Sequence, residues 1–98
     1  MKIVKTNEAE KLTLAIEGRL DTSTSPELEG EIQASIEDVK ELIFDLEKLE
    51  YVSSAGLRVL LSTQKKMNAQ GSMVVTNVSE DIMEIFEVTG FVDILTIQ

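Results

Sequence analysis

Tyr51-Val52-Ser53-Ser54-Ala55-Gly56-Leu57 is the stretch in which an apolar, strand-like region passes into an amphipathic helical pattern, and it marks where strand and helix alternate. Downstream, Leu57, Leu60 and Leu61 form a stripe at helical spacing that runs on to Met67. Arg58, Lys65 and Lys66 lie off that stripe, and Asn68-Ala69-Gln70-Gly71 closes the helix. Upstream, Leu42-Ile43-Phe44-Asp45-Leu46 is a nearly unbroken apolar run, which predicts a strand in the middle of a sheet with both faces covered. A helix that begins near Ser54 directs its unpaired N–H groups and the positive end of its dipole at whatever the serine carries. That favours an anion, and a phosphoryl group is the natural candidate.

The same alternation extends outward in both directions. Apolar residues fall on every second position at Leu12, Leu14 and Ile16, with Leu20 in phase, which is the period of a half-buried strand. Lys2 to Thr6 reads as a strand as well, and the polar Asn7-Glu8-Ala9-Glu10 predicts an antiparallel hairpin joined by a loop rather than by a two-residue turn. Asp21-Thr22-Ser23-Thr24-Ser25-Pro26 is dense in capping residues, so a helix is expected to start with Ser25 as cap and Pro26 as its first residue. Its inner stripe is Leu28, Ile32, Ile36 and Val39. Met73-Val74-Val75 predicts a buried strand, and Ser79 a cap for a third helix with Ile82, Ile85 and Phe86 inside and Gly90 at its end. Phe91-Val92 and Ile94-Leu95-Thr96-Ile97 are expected to form a last strand. The order implies one α/β domain over residues 1–98: a mixed, mostly parallel sheet with an N-terminal antiparallel hairpin and three helices. Ser54 would then lie beyond the carboxyl end of a strand, where ligands and partners engage such sheets.

Composition excludes several chemistries. The chain has no cysteine, hence no disulfide framework or thiolate metal site, and no histidine, which removes the commonest general base and transition-metal ligand together. No cofactor is expected. Nine Lys and Arg against eighteen Asp and Glu give a formal charge of −9, a field that repels nucleic-acid phosphates and anionic lipid head groups. The start, Met1-Lys2-Ile3-Val4-Lys5, develops no signal-peptide core, and no segment reaches membrane-spanning length. The expectation is a cytoplasmic protein with no nucleic-acid partner and no membrane insertion.

Serine at a helix start is most often simply a cap, and that plain reading applies to Ser53 and Ser54. Against it, neither serine is followed at three residues by Glu or Gln to close a capping box, and Ala55-Gly56 keeps the next turn small and open to an approaching protein. A serine-hydrolase reading fails because no Gly stands two residues before Ser54 and no histidine exists to take its proton. Asp21, in Gly18-Arg19-Leu20-Asp21, reads by itself as a turn or capping aspartate. Asp45, inside an apolar run, requires a partner or a solvent-facing position. A phospho-aspartate receiver built on Asp45 would need an acidic pair near the N-terminus, where Ile3-Val4 stands.

The Tyr51-to-Leu61 segment, with Gly18-Arg19-Leu20-Asp21 and the order of elements, resembles the STAS domain family of bacterial anti-sigma factor antagonists over nearly the whole chain. The resemblance implies a STAS-like fold and a binding protein that is not an enzyme. It implies that Ser54, less so its neighbour Ser53, is phosphorylated by an anti-sigma factor that is also a serine kinase, and that a PP2C-type phosphatase reverses this. Asp21 is implied to support recognition, and the partner-binding surface to comprise Asp21, Ser53, Ser54, Ala55, Gly56 and Arg58. Ser53 stands where many members carry aspartate and Ala55 where many carry a second serine, and many members continue past the position of Gln98 into a helix over the sheet. The alternative implied by the same fold is a non-switching adaptor, a subunit of a transporter or signalling scaffold.

Overall fold

Period-two burial organises the molecule around one long strand. The computed structural model describes residues 1–98, and in its strand β2 (Lys11–Leu20) the alternate residues Leu12, Leu14, Ile16 and Leu20 are buried while Thr13, Ala15 and Glu17 between them are half-buried. Strand β1 (Lys2–Glu8) pairs antiparallel along one edge of β2. Along the other edge run β3 (Glu41–Asp45) and then β4 (Leu49–Val52), both parallel. Ala15 sits beside Asp45, Gly18 beside Leu49 and Leu20 beside Val52, so β4 resumes the path of β3 after an interruption at Leu46-Glu47-Lys48. Gly18 absorbs the register shift there: its φ of +95° is open to glycine at no steric cost, and its N–H donates to the Lys48 carbonyl at 2.9 Å. Strand β5 (Ser72–Thr76) pairs parallel with β3, giving the order β1-β2-β3-β5.

Helices α1 (Ser25–Ser35), α2 (Ser54–Gln70) and α3 (Glu80–Thr89) contribute their inner stripes to a single core of 22 buried residues. Leu28 and Ile32 come from α1, Leu57, Leu60 and Met67 from α2, Ile82 and Phe86 from α3. Burying one large aliphatic or aromatic side chain is worth about 1.5–3 kcal/mol, so these stripes fix the helices on the sheet. Ser79 caps α3 by accepting from the Ile82 N–H at 3.3 Å, and Gly90, at φ +80°, ends it in the left-handed conformation, as its sequence implies.

Four expectations need correction. The hairpin turn is the two-residue Ala9-Glu10, because Asn7 and Glu8 stay in the ladder opposite Leu12 and Lys11 and Ala9 takes φ +53° to close it. Strand β3 is hydrogen-bonded on both sides yet covered on one face only, with Leu42 and Phe44 buried and Ile43 and Asp45 half-buried. Ser25 is the first residue of α1 rather than its cap; Thr24 holds the cap position, and the buried Ser25 hydroxyl donates to the Asp21 carbonyl at 2.6 Å. The last strand is absent. Phe91–Asp93 is a 3-10 turn that takes the Ile94 and Leu95 N–H groups locally, both bonding to the Phe91 carbonyl, and only Ile97 reaches the sheet as one bridge to Val75. Strand β4, by contrast, is the strand-like region expected just before Ser53, but it starts at Leu49, inside the stretch that reads as polar.

Candidate functional site

The carboxyl ends of β2 and β4 lie side by side, and the chain leaves each in a turn that starts a helix. After Val52, Ser53 is extended at φ −92° and ψ 175°, the conformation of an N-cap, and its Oγ accepts from the Gly56 N–H at 3.3 Å. The Ser53 N–H in turn donates to the Leu20 carbonyl at 2.9 Å, tying the cap to the end of β2. Ser53 is half-buried and does the capping. Ser54, the next residue, is exposed and is the first helical residue of the 17-residue α2. No acidic side chain occupies the first turn of that helix, so nothing there opposes the positive end of its dipole. Arg58, exposed, follows Ser54 by four residues and so shares its face of the helix.

Gly56 differs from its sequence-based reading. It is buried, and a Cβ there would meet Leu20 Cγ at 2.7 Å and Val52 Cγ2 at 2.9 Å. Its smallness lets α2 approach β2 and β4; it presents no side to a partner. Ala55 is half-buried and lines, with Arg58 and Thr22, one end of a groove of about 620 Å³ between α1 and α2. Its α1 wall carries Glu29 and Gln33, its α2 wall Ser62 and Lys66.

Asp21 stands at the end of β2 in a closed turn. Its Oδ1 accepts from the N–H groups of Ser23 at 3.0 Å and Thr24 at 3.1 Å. The Thr24 hydroxyl accepts from the Asp21 N–H at 2.8 Å and gives its one proton to the Arg19 carbonyl at 2.8 Å, which leaves its 3.2 Å approach to Asp21 Oδ1 secondary. The Thr24 N–H above all holds the Asp21 carboxyl below the usual carboxylate range; burial opposes it, and the Thr24 hydroxyl, the Ser23 N–H and the nearby Arg19 charge add lesser help. The turn-aspartate reading therefore describes its geometry well, and its side chain remains 30% exposed beside the site.

Two residues at this edge were not singled out by sequence reasoning. Arg19 places its guanidinium 4.3 Å over the ring of Tyr51, its neighbour across β2 and β4, and its Nε lies 3.8 Å from Asp21 Oδ2. The signal was available: Arg19 precedes Leu20-Asp21 and Tyr51 precedes Val52-Ser53, so any pairing of the two strands in that register brings them together. Asp45 lies elsewhere, on the open face of the sheet, where it accepts from the Glu47 N–H at 3.1 Å and from Asn77 Nδ2 at 3.0 Å. It has both the partners and the solvent its charge requires. No helix is long and apolar enough to cross a membrane.

Comparison with known proteins gives this geometry its context. The chain is 33% identical over 95 residues to the anti-sigma-B factor antagonist of Bacillus subtilis strain 168, an alignment covering 96% of this chain and 86% of that protein. Its fold matches the crystal structure of an anti-sigma factor antagonist from Mycobacterium paratuberculosis with a TM-score of 0.88 at 23% identity, covering 98% of this chain and 83% of the other. It matches Bacillus SpoIIAA in the phosphorylated form with a TM-score of 0.77 at 19% identity, covering 99% and 91%, and SpoIIAA in its unphosphorylated form with 0.78 at 18%, covering 99% and 87%. The STAS domain model matches residues 1–98. With the mixed sheet, the three helices and a full-length match in agreement, the chain belongs to the STAS domain family.

Proposed function

We propose that this protein is an anti-sigma factor antagonist that binds an anti-sigma factor with serine-kinase activity when Ser54 is unmodified, so freeing a sigma factor, and releases it when Ser54 is phosphorylated. The observation that carries the reading is the division of labour between adjacent serines: Ser53 supplies the cap, and Ser54 stands exposed at the positive end of α2. The protein acts by binding rather than catalysis. The kinase supplies the phosphoryl group from ATP, and a PP2C-type phosphatase removes it by hydrolysis.

The energetics favour a switch that alters docking and spares the fold. A phosphoryl group adds about −1.5 to −2 charges, and the end of α2 accommodates it at a gain of about 0.3–1 kcal/mol. Arg58, one turn on, offers a second counter-charge on the same face. The near-equal likeness of this chain to SpoIIAA in both forms fits a modification that leaves the architecture intact. At an interface the same dianion, close to Asp21, costs several kcal/mol in like-charge contact and desolvation. About 4 kcal/mol is roughly a thousandfold in affinity.

The test is mass spectrometry of the protein after incubation with ATP and its cognate anti-sigma kinase, together with the affinity of Ser54→Ala and Ser54→Asp for that kinase. Phosphate on Ser54, tight binding by Ser54→Ala and weak binding by Ser54→Asp are expected. Equal affinity of the two variants would refute the switch and leave a constitutive adaptor.

A further inference from the structure

Strand β1 is the outermost strand of the sheet: one edge pairs with β2 along its whole length and the other pairs with nothing. All of Lys2–Glu8 except Ile3 is exposed, so alternate backbone N–H and C=O groups of the seven residues face solvent. A free edge of this kind is a template for another strand. We propose that it is an interface for a second copy of this chain, the two β1 strands pairing antiparallel about a two-fold axis that is perpendicular to the sheet and passes through Lys5.

Symmetry and charge together select that register. A two-fold pairing is self-complementary, so in antiparallel identical strands one residue faces itself. Centring on Lys5 engages all seven residues and sets Lys2 opposite Glu8 of the second copy twice, with Val4 opposite Thr6 and Ile3 opposite Asn7. Centring on Val4 or Thr6 shortens the ladder and loses both Lys2–Glu8 pairs. Opposite charges directly across a sheet attract, and like charges repel. Within one copy Lys2 already faces Glu17 across β1 and β2, and Glu8 faces Lys11, which faces Glu41. The proposed register joins these rows into one line that alternates in sign: Glu17, Lys2, then Glu8, Lys11 and Glu41 of the second copy.

The like-charge contact on the axis is already compensated. Lys5 Nζ lies 3.0 Å from Glu31 Oε1 and 3.3 Å from Ser35 Oγ on α1, so each ammonium arrives with its own counter-ion. The formal charge of −9 on each copy opposes association, and the dimer is accordingly one of high concentration. Because β4 lies along the edge of β2 opposite β1, Ser54 of both copies stays outside the interface.

Sedimentation velocity from micromolar to millimolar concentration tests the proposal. A monomer–dimer equilibrium is expected for the native chain, with Lys2→Glu or Glu8→Lys weakening it about tenfold, as two surface pairs turn from attraction to repulsion. Reversing the whole row at once, with Lys2→Glu, Glu8→Lys, Lys11→Glu, Glu17→Lys and Glu41→Lys, keeps every facing pair opposite in sign and restores it. The chain has no cysteine, so a single introduced one reports register: Lys5→Cys, on the axis, cross-links to itself on air oxidation, whereas Lys2→Cys, facing residue 8, does not. A native chain that stays monomeric at millimolar concentration, a charge swap that fails to restore association, or cross-linking at residue 2 rather than residue 5 would each overturn it.

Discussion

Replacing each serine of the Ser53-Ser54 pair by alanine separates a structural hydroxyl from a spare one. Ser53→Ala removes the acceptor of the Gly56 N–H at the start of α2. Loss of an N-cap typically costs about 1 kcal/mol; the 3.3 Å distance is slightly long for an N–H···O bond, which puts the expected loss at about 0.5–1 kcal/mol. For a domain of about 100 residues, 1 kcal/mol moves Tm by roughly 4–8 °C, so Ser53→Ala is expected to melt about 2–8 °C lower. Ser54→Ala removes an exposed hydroxyl outside the cap and substitutes the best helix former, so its change stays within about 0.5 kcal/mol. Ser53→Asp keeps an acceptor at the cap and adds a charge the dipole favours, and it should melt close to the native protein. Far-UV circular dichroism melts at pH 7 read all three directly. A Ser54→Ala protein less stable than Ser53→Ala would mean that the roles of the two serines are reversed, and the assignment of Ser54 as the free acceptor would fail with it.

Glycine at position 71 gives a second test: a Cβ there would overlap the Lys40 carbonyl, which already accepts from the Ser72 N–H at 2.9 Å. Gly71→Ala should therefore cost about 2–4 kcal/mol in urea denaturation, from overpacking plus a weakened hydrogen bond. Gly30→Ala, in α1 with nothing within 4 Å of the new methyl, should gain up to about 1 kcal/mol. The lowered pKa of Asp21 makes a pH-dependent contribution. Its stabilisation is complete above the ordinary aspartate value of ~3.9 and fades as pH falls from there through the lower folded value, so Asp21→Asn should narrow the difference between melts at neutral pH and at pH ~3.

Much of this architecture is legible in the residues themselves because burial has a period. Leu12, Leu14, Ile16 and Leu20 announce β2, and Ser79 and Gly90 bracket α3, since local chemistry and tertiary packing agree there. The misreadings fall where tertiary pairing overrides local preference. Leu49-Glu50 join β4 because the end of β2 offers them a ladder, and Asn7-Glu8 stay extended because Leu12 and Lys11 lie opposite. Ile94–Ile97 has the composition of a strand, yet the 3-10 turn at Phe91–Asp93 takes the backbone groups that a full ladder would need. At the site, sequence pointed to Ser53, Ser54, Asp21 and Arg58, which the fold brings to one edge of the sheet and the start of α2. It could not assign the cap between two adjacent serines or tell that Gly56 faces inward, because both depend on where Leu20 and Val52 lie.

The guanidinium of Arg19 lies 4.3 Å over the ring of Tyr51, and this chain has one tyrosine and no tryptophan. Excited at wavelengths that phenylalanine does not absorb, the chain therefore emits from a single fluorophore standing two residues from the Ser53 cap, with a cation against its face. Displacement of Arg19 from that ring is expected to change the emission, so a phosphoryl group or a docking protein that draws the guanidinium away would be reported without an added dye.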